Sequence, residues 1–285
     1  MSSGPLVSII CLCYNHARFV EEAVQSVIQQ TYKNIEIIMV DDASTDNSKD
    51  VINGIVKAYP QIKFLPLEKN IGNCAAFNLG FSHAFGDFII DMATDDVLLP
   101  ERVEKGVSSL RAAGSEFGLD FTNAEIINES GNLMSYHYPM DGEGKSKVTV
   151  PSGDVFANLL GRYFICPPTM MYTRQLVEFL GGYDETLTYE DFDLWIRSSR
   201  KYKYAYTDEV LVKRRVVKGS KSYLQFKIGS PDLRTTYKVM QKAKALLQTE
   251  EENVIFRKRV FYEIKVAVRY LNFSLARDYY KMLRV

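Results

Sequence analysis

Two acidic pairs about a hundred residues apart are the groups best suited to chemistry in this chain: Asp95-Asp96 and Glu190-Asp191. Asp95 and Asp96 follow Phe88-Ile89-Ile90-Asp91-Met92-Ala93, an apolar run that reads as a short buried strand. The pair then stands at a strand's carboxyl end, where open α/β sheets bind ligands. Adjacent carboxylates repel unless a cation or a donor stands between them, so this placement points to a metal holding a phosphate. Glu190-Asp191 opens an amphipathic segment, Phe192 to Arg200, and can present one carboxylate as a general base. On a helix, Glu190 and Asp193 share a face that Asp191 does not, which separates the three acids.

The elements that position these groups follow from periodicity. Leu6–Cys13, Ile35–Val40, Ile62–Leu65 and Phe88–Met92 are apolar, largely β-branched runs expected to form buried strands. Between them, helical spacing is expected over 19–30, from the Ser44–Asn47 turn to about Tyr59, and over 70–84. Strands alternating with helices imply a parallel sheet with right-handed crossovers. After Pro100 a helix to about Ala113 and a strand over 119–127 are expected. The polar stretch Asn128 to Lys147 reads as a flexible loop over the site. Its Gly142-Glu143-Gly144-Lys145-Ser146 lacks both the first glycine of a phosphate loop and a strand leading in. Further strands are expected near Thr169–Thr173 and Tyr202–Val212. Two helices are expected to follow, over about 233–247 and 251–280. Val254, Phe261, Ile264, Val268, Leu271 and Leu275 form one stripe on the second. That stripe is expected to dock on the rest of the protein, with a dimer contact or a basic membrane-surface helix as alternatives.

Four segments, in order, resemble glycosyltransferase family 2: Val7 to Asn15, Val40-Asp41-Asp42-Ala43-Ser44-Thr45-Asp46, Thr94-Asp95-Asp96, and Glu190-Asp191-Phe192-Asp193-Leu194-Trp195. The resemblance covers roughly residues 5 to 220. It implies an α/β fold of the GT-A type, a mostly parallel sheet sandwiched by helices. A catalytic domain would occupy residues 1–228, with a C-terminal helical appendage over 229–285. It also implies inverting transfer of a sugar from a nucleotide-diphosphate donor, most commonly a UDP-sugar. Leu12, Tyr14, Asn15, Asp42 and Asp95 would then contact the nucleotide, Asp96 would bind Mn2+ or Mg2+, and Asp191 would be the base. Glu190, Lys69 and Lys218 are candidates for acceptor or phosphate contacts. Two departures stand out. Many members carry a further Asp where this chain has Ala93, and a His about where Val217 or Lys218 stands.

Composition narrows the alternatives. Of 35 Lys+Arg and 35 Asp+Glu, residues 200–285 hold 21 and 8, leaving 14 and 27 before them. An acidic front suits a metal-dependent phosphate site, and a basic back suits an anionic surface or acceptor. Nothing points to nucleic acid. The expected acceptor is a saccharide or a lipid-linked saccharide of a surface polysaccharide. Four cysteines without a signal-peptide pattern imply a reducing cytoplasm, with peripheral association at the inner face of the membrane. Cys11-x-Cys13 beside His16 reads as strand packing rather than a metal site. A sugar nucleotidyltransferase or a dinucleotide-binding dehydrogenase would need glycines after the first strand, where Tyr14-Asn15-His16 stands. A non-catalytic, nucleotide-binding scaffold on the same fold is the remaining alternative.

Overall fold

The computed structural model describes residues 4–218 and 230–284. Four parallel strands come first: β1 (Val7–Cys13), β2 (Ile35–Asp41), β3 (Lys63–Pro66) and β4 (Phe88–Ala93). Between them run α1 (Val20–Ile28), α2 (Ser48–Ala58) and α3 (Asn73–Ser82). β1 is central, pairing with β2 from Val7↔Ile35 to Cys13↔Asp41 and with β4 from Val7↔Phe88 to Leu12↔Ala93. Because these three strands are parallel and in step, Tyr14, Asp42 and Thr94 all leave the sheet at one edge. That edge is fixed by side-chain alternation. Val7, Ile9, Cys11 and Cys13 face a core layer with Val24 and Ile52, and Ile10 faces one with Phe77. Gly80 belongs to this packing, since a Cβ there would overlap Ile10 Cγ2.

The sheet becomes mixed beyond β4. β5 (Val97–Leu98), α4 (Arg102–Ala113), β6 (Phe117–Ile127), β7 (Leu133–Tyr136), α5 (Phe156–Gly161), β8 (Met171–Thr173), α6 (Arg174–Leu180), α7 (Asp191–Ser198) and β9 (Lys203–Arg215) follow. The strand order is β3-β2-β1-β4-β8-β6-β9-β5, with β7 attached to β6. β8 runs antiparallel to both β4 and β6, whereas β6 and β9 are parallel. Inside this half, Arg102 and Asp120 form an ion pair at 3.0 Å with side chains 1% and 0% exposed. Thr207 Oγ1 donates to the same carboxylate, and Arg102 Nη2 donates to the Thr169 carbonyl. Removing one member strands a buried charge, so Asp120→Ala is expected to cost about 3–5 kcal/mol of folding stability in urea unfolding. A loss below about 1 kcal/mol, as for an exposed pair, would contradict this.

Three expected features are corrected. The polar stretch over 128–147 is not simply a loop: β7 pairs with the end of β6, and Asp141 Oδ1 caps the following turn from Glu143 and Lys145 N–H groups. The C-terminal part has three helices, not two: α8 (Asp232–Ala245), α9 (Glu250–Arg269) and α10 (Phe273–Met282). Leu271 breaks the run at φ 55°, and the Asn272 side chain then caps α10 by accepting from Leu275 N–H.

The expected docking stripe is mostly turned outward. Leu275 is buried and Ile264 half-buried, but Val254, Phe261, Val268 and Leu271 are exposed. The buried face of α9 instead carries Glu252, Phe256, Arg259, Val260, Glu263 and Ala267. Its charges are paired. Arg259 Nε bonds Glu263 at 2.6 Å and lies over the Tyr163 and Phe192 rings, while Glu252 meets Arg200 at 3.0 Å. A hydrophobicity pattern cannot see a face that buries ion pairs. Among the described residues no helix is long and apolar enough to cross a membrane.

Candidate active site

The shared strand edge gathers the first group of residues. The Leu12 carbonyl accepts from Thr94 N–H and Thr94 Oγ1, tying the ends of β1 and β4 together. Tyr14 is 45% exposed beside this junction, its ring free of the core. Asn15 takes a left-handed φ of 61°, and its Oδ1 accepts from the Thr45 and Asp46 N–H groups. Asp42, buried at the end of β2, receives Ile71 N–H and Gly72 N–H on its two oxygens. It therefore clasps the entrance to α3, and a ligand meeting it uses its remaining acceptor directions. Lys69 is exposed just before this clasp.

Asp95 and Asp96 follow at the next corner. Asp96 is buried and accepts the Arg215 backbone N–H at 2.7 Å. Burial first, and Asp95 second, push its carboxyl well above the usual carboxylate range, against the pull of Arg214 and Arg215. The Asp95 carbonyl accepts from Arg215 Nε, and Asp95 Oδ2 lies 3.9 Å from His16 Nε2. His16 Nδ1 is in turn 3.0 Å from Thr94 Oγ1. Two repelling carboxylates, one buried and starved of solvation, suit a hard divalent cation. No group of three His, Cys, Asp or Glu that could hold a metal occurs among the described residues. The remaining ligands would have to come from a bound diphosphate and water, the usual arrangement for Mg2+. Lys218 is exposed, and its N–H donates to Glu129 Oε1. Half-buried Val217 supplies no ligating atom.

Glu190 and Asp191 stand at the start of α7. Glu190 accepts from Asn73 Nδ2 at the start of α3, which fastens α7 to the β2–α3 corner. Asp193, the neighbour most easily confused with Asp191, is neutralised by Arg197 at 2.7 Å and Lys242 at 2.6 Å. Asp191 Oδ1 is buried without a hydrogen-bond partner. Burial, then the Glu190 carboxylate, raise the Asp191 carboxyl well above its usual range, and Arg214 opposes them. The preceding residues are held from α8. Thr188 Oγ1 donates to Asp232, Thr188 N–H donates to Thr235, and Tyr189 OH lies 2.7 Å from Thr236 Oγ1.

Three groups that sequence reasoning passed over stand at the acidic sites: Asp91 beside Glu190, and Cys166 and Arg214, which interact electrostatically with both Asp96 and Asp191. Asp91, on β4, accepts from Tyr183 OH at 3.0 Å, and burial followed by Glu190 raises its carboxyl well above the usual range. Asn78 holds Tyr183 by both backbone groups. Gly182, at φ 82°, lets that clamp close, since a Cβ there would meet Asn78 Oδ1 at 2.5 Å. Burial raises the Cys166 thiol to about 12, with Asp96 and Asp191 both adding and Arg214 opposing. Arg214 is thus the cation felt by both acids. No local signal marks it, because it stands in the basic run Lys213-Arg214-Arg215 and reaches the acids through the pairing of β9 with β6. Cys11 and Cys13 are buried free thiols within β1, as expected for strand packing.

The family model for glycosyl transferase family 2 matches residues 8–178, well over half the chain. The chain belongs to this family. A putative glycosyltransferase, EpsE of Bacillus subtilis, is 33% identical over 69% of this chain and 68% of its own length. An uncharacterised glycosyltransferase of Rickettsia typhi is 29% identical over 75% of this chain, which spans only 64% of that relative. Solved structures share the fold. TarS of S. aureus in complex with UDP-GlcNAc has a TM-score of 0.67 at 18% identity, over 89% of this chain and 71% of that one. The mannosyltransferase PcManGT of Pyrobaculum calidifontis, in complex with GDP-Man and Mn2+, has a TM-score of 0.65 at 16% identity, over 96% and 76%. The architecture described above is that of GT-A glycosyltransferases.

Proposed function

We propose that this family member is a divalent-metal-dependent inverting glycosyltransferase using a nucleotide-diphosphate sugar, with Asp191 as its base. The observation that carries this reading is the buried Oδ1 of Asp191, which has no hydrogen-bond partner, with Arg214 acting on both Asp191 and the buried Asp96. A base needs a raised affinity for protons and an open lone pair, and Asp191 has both. Tyr14 offers a ring for the nucleotide base. Leu12, Asn15, Asp42 and Asp95 line the nucleotide's edge of the sheet. Asp96, with Asp95, would hold Mn2+ or Mg2+, which neutralises charge on the diphosphate when bound.

Asp191 takes the proton of an acceptor hydroxyl as its oxygen bonds to the anomeric carbon. The bond from that carbon to the β-phosphate oxygen breaks, and its electron pair leaves with the nucleoside diphosphate. Arg214 and Lys218 supply positive charge for that leaving group, in place of the family's histidine. Glu190, fastened by Asn73, orients the acceptor, and Lys69 is a further phosphate contact. Catalysis resides in residues 1–228, with 229–285 a helical extension.

A UDP-sugar is the preferred donor, which the UDP-GlcNAc complex of TarS supports. The acceptor is a saccharide or lipid-linked saccharide of a surface polysaccharide on the cytoplasmic side, which the basic C-terminal third supports. Proton NMR of the product tests the stereochemistry. An α-linked donor is expected to give a β-linked product, and an α-linked product would overturn the inverting assignment.

A further inference from the structure

The outward face of α9 and α10 has no partner among the described residues and is rich in apolar and cationic side chains. Val254, Phe261 and Val268 recur every seventh residue, so they align along one side of α9, and all three are exposed. The chain continues through exposed Leu271 and Phe273 into α10, where Tyr280 is also exposed. Arg257 Nη1 donates to the Leu283 carbonyl, so the start of α9 lies beside the end of α10 and the two helices form an antiparallel pair. Arg257, Lys258, Lys265 and Arg269 flank the apolar line on α9, and Arg277, Lys281 and Arg284 are exposed on α10. Over 254–284 the two acids are engaged elsewhere. Glu263 is buried against Arg259, and Asp278 pairs with Arg234.

We infer that this face docks on the surface of an anionic lipid bilayer. Large apolar side chains between cations are what an interfacial helix needs. The rings and branched chains enter the headgroup boundary, while Lys and Arg extend their stems toward phosphates. Charge complementarity selects lipid over a second copy of this chain. A two-fold contact sets the same patch against itself, so seven exposed cations would face seven others, with only Glu250 and Glu251 of the first turn of α9 as exposed acids on the described helix pair. The burial pattern of α9 agrees, because its other side is already committed to Phe256, Val260 and the Arg259–Glu263 pair. The inference goes beyond the proposed reaction and does not depend on it, since it concerns a face remote in sequence from every residue assigned to transfer.

Vesicle flotation of the whole chain tests it. The chain is expected to float with equimolar phosphatidylcholine and phosphatidylglycerol, to stay behind with phosphatidylcholine alone, and to be released by high salt. Each cation near an anionic leaflet contributes about a fivefold factor, so the triple variant K258Q/K265Q/R269Q is expected to bind about a hundredfold more weakly. Phe261→Ser is expected to weaken binding without changing its salt dependence. All four positions are exposed, and circular dichroism confirms that each variant is folded. Equal flotation with both vesicle types, or with neither, would overturn the inference. Concentration-dependent dimerisation that Phe261→Ser abolishes, without vesicle binding, would overturn it in favour of a second copy.

Discussion

Asp191→Asn is expected to keep donor binding within about twofold of wild type while lowering transfer by ~10²–10⁴-fold, the range a positioned general base supplies. The substitution keeps the shape of the side chain and removes only its ability to accept the proton. The same variant is expected to be more stable than wild type at neutral pH. A carboxyl whose folded pKa is raised favours the folded state fully below the unfolded pKa, and that contribution is lost as pH rises through the folded value. Asp191 is held up by burial and by Glu190, so at neutral pH its charge opposes folding. Removing that charge is expected to raise Tm by about 2–4 °C for roughly 1 kcal/mol gained. Transfer by the wild type is expected to fall on acidification, with a midpoint above the ordinary carboxylate range. A variant that retains most of its turnover would move the base elsewhere, with Glu190 next in line.

Asp96→Ala has the second largest expected effect. Asp96 is buried beside Asp95, and its carboxyl is pushed up by that burial and that neighbour. A divalent cation would offset both, which would link its binding to the Asp96 charge. Without the carboxylate, donor binding is expected to lose its metal dependence and transfer to fall by on the order of 10²–10³-fold. The folded state is expected to survive. The buried Arg215 N–H that Asp96 receives at 2.7 Å loses that acceptor, at an expected cost of about 1–3 kcal/mol.

Much of this geometry is legible in the residues. β1, β2 and β4 are buried on both faces, so their apolar runs stand out, and their lengths place Tyr14, Asp42 and Asp95-Asp96 at one edge. Asp191 opens α7 as the amphipathic run after it requires. What was hidden is polar and buried. Asp91 reads as one more strand residue, and only its contact with Tyr183 from a distant turn makes it part of the site. Arg214 gains its place from the β6–β9 pairing, a long-range register that no local pattern encodes. On α9 the same blindness reversed the helix, because Arg259 and Glu263 go inward as a pair while Phe261 goes out. The break at Leu271 did leave a local trace, the capping Asn272, which lost to the longer apolar rhythm around it.

The proposed metal-dependent nucleotide site is built on Asp96. Calorimetric titration with UDP, GDP and dTDP, each with and without Mn2+, on wild type and Asp96→Ala tests it most directly. UDP is expected to bind wild type far more tightly with Mn2+ than without, and Asp96→Ala is expected to lose that difference. Binding of none of the three nucleotides, or metal-dependent binding that persists in Asp96→Ala, would contradict it.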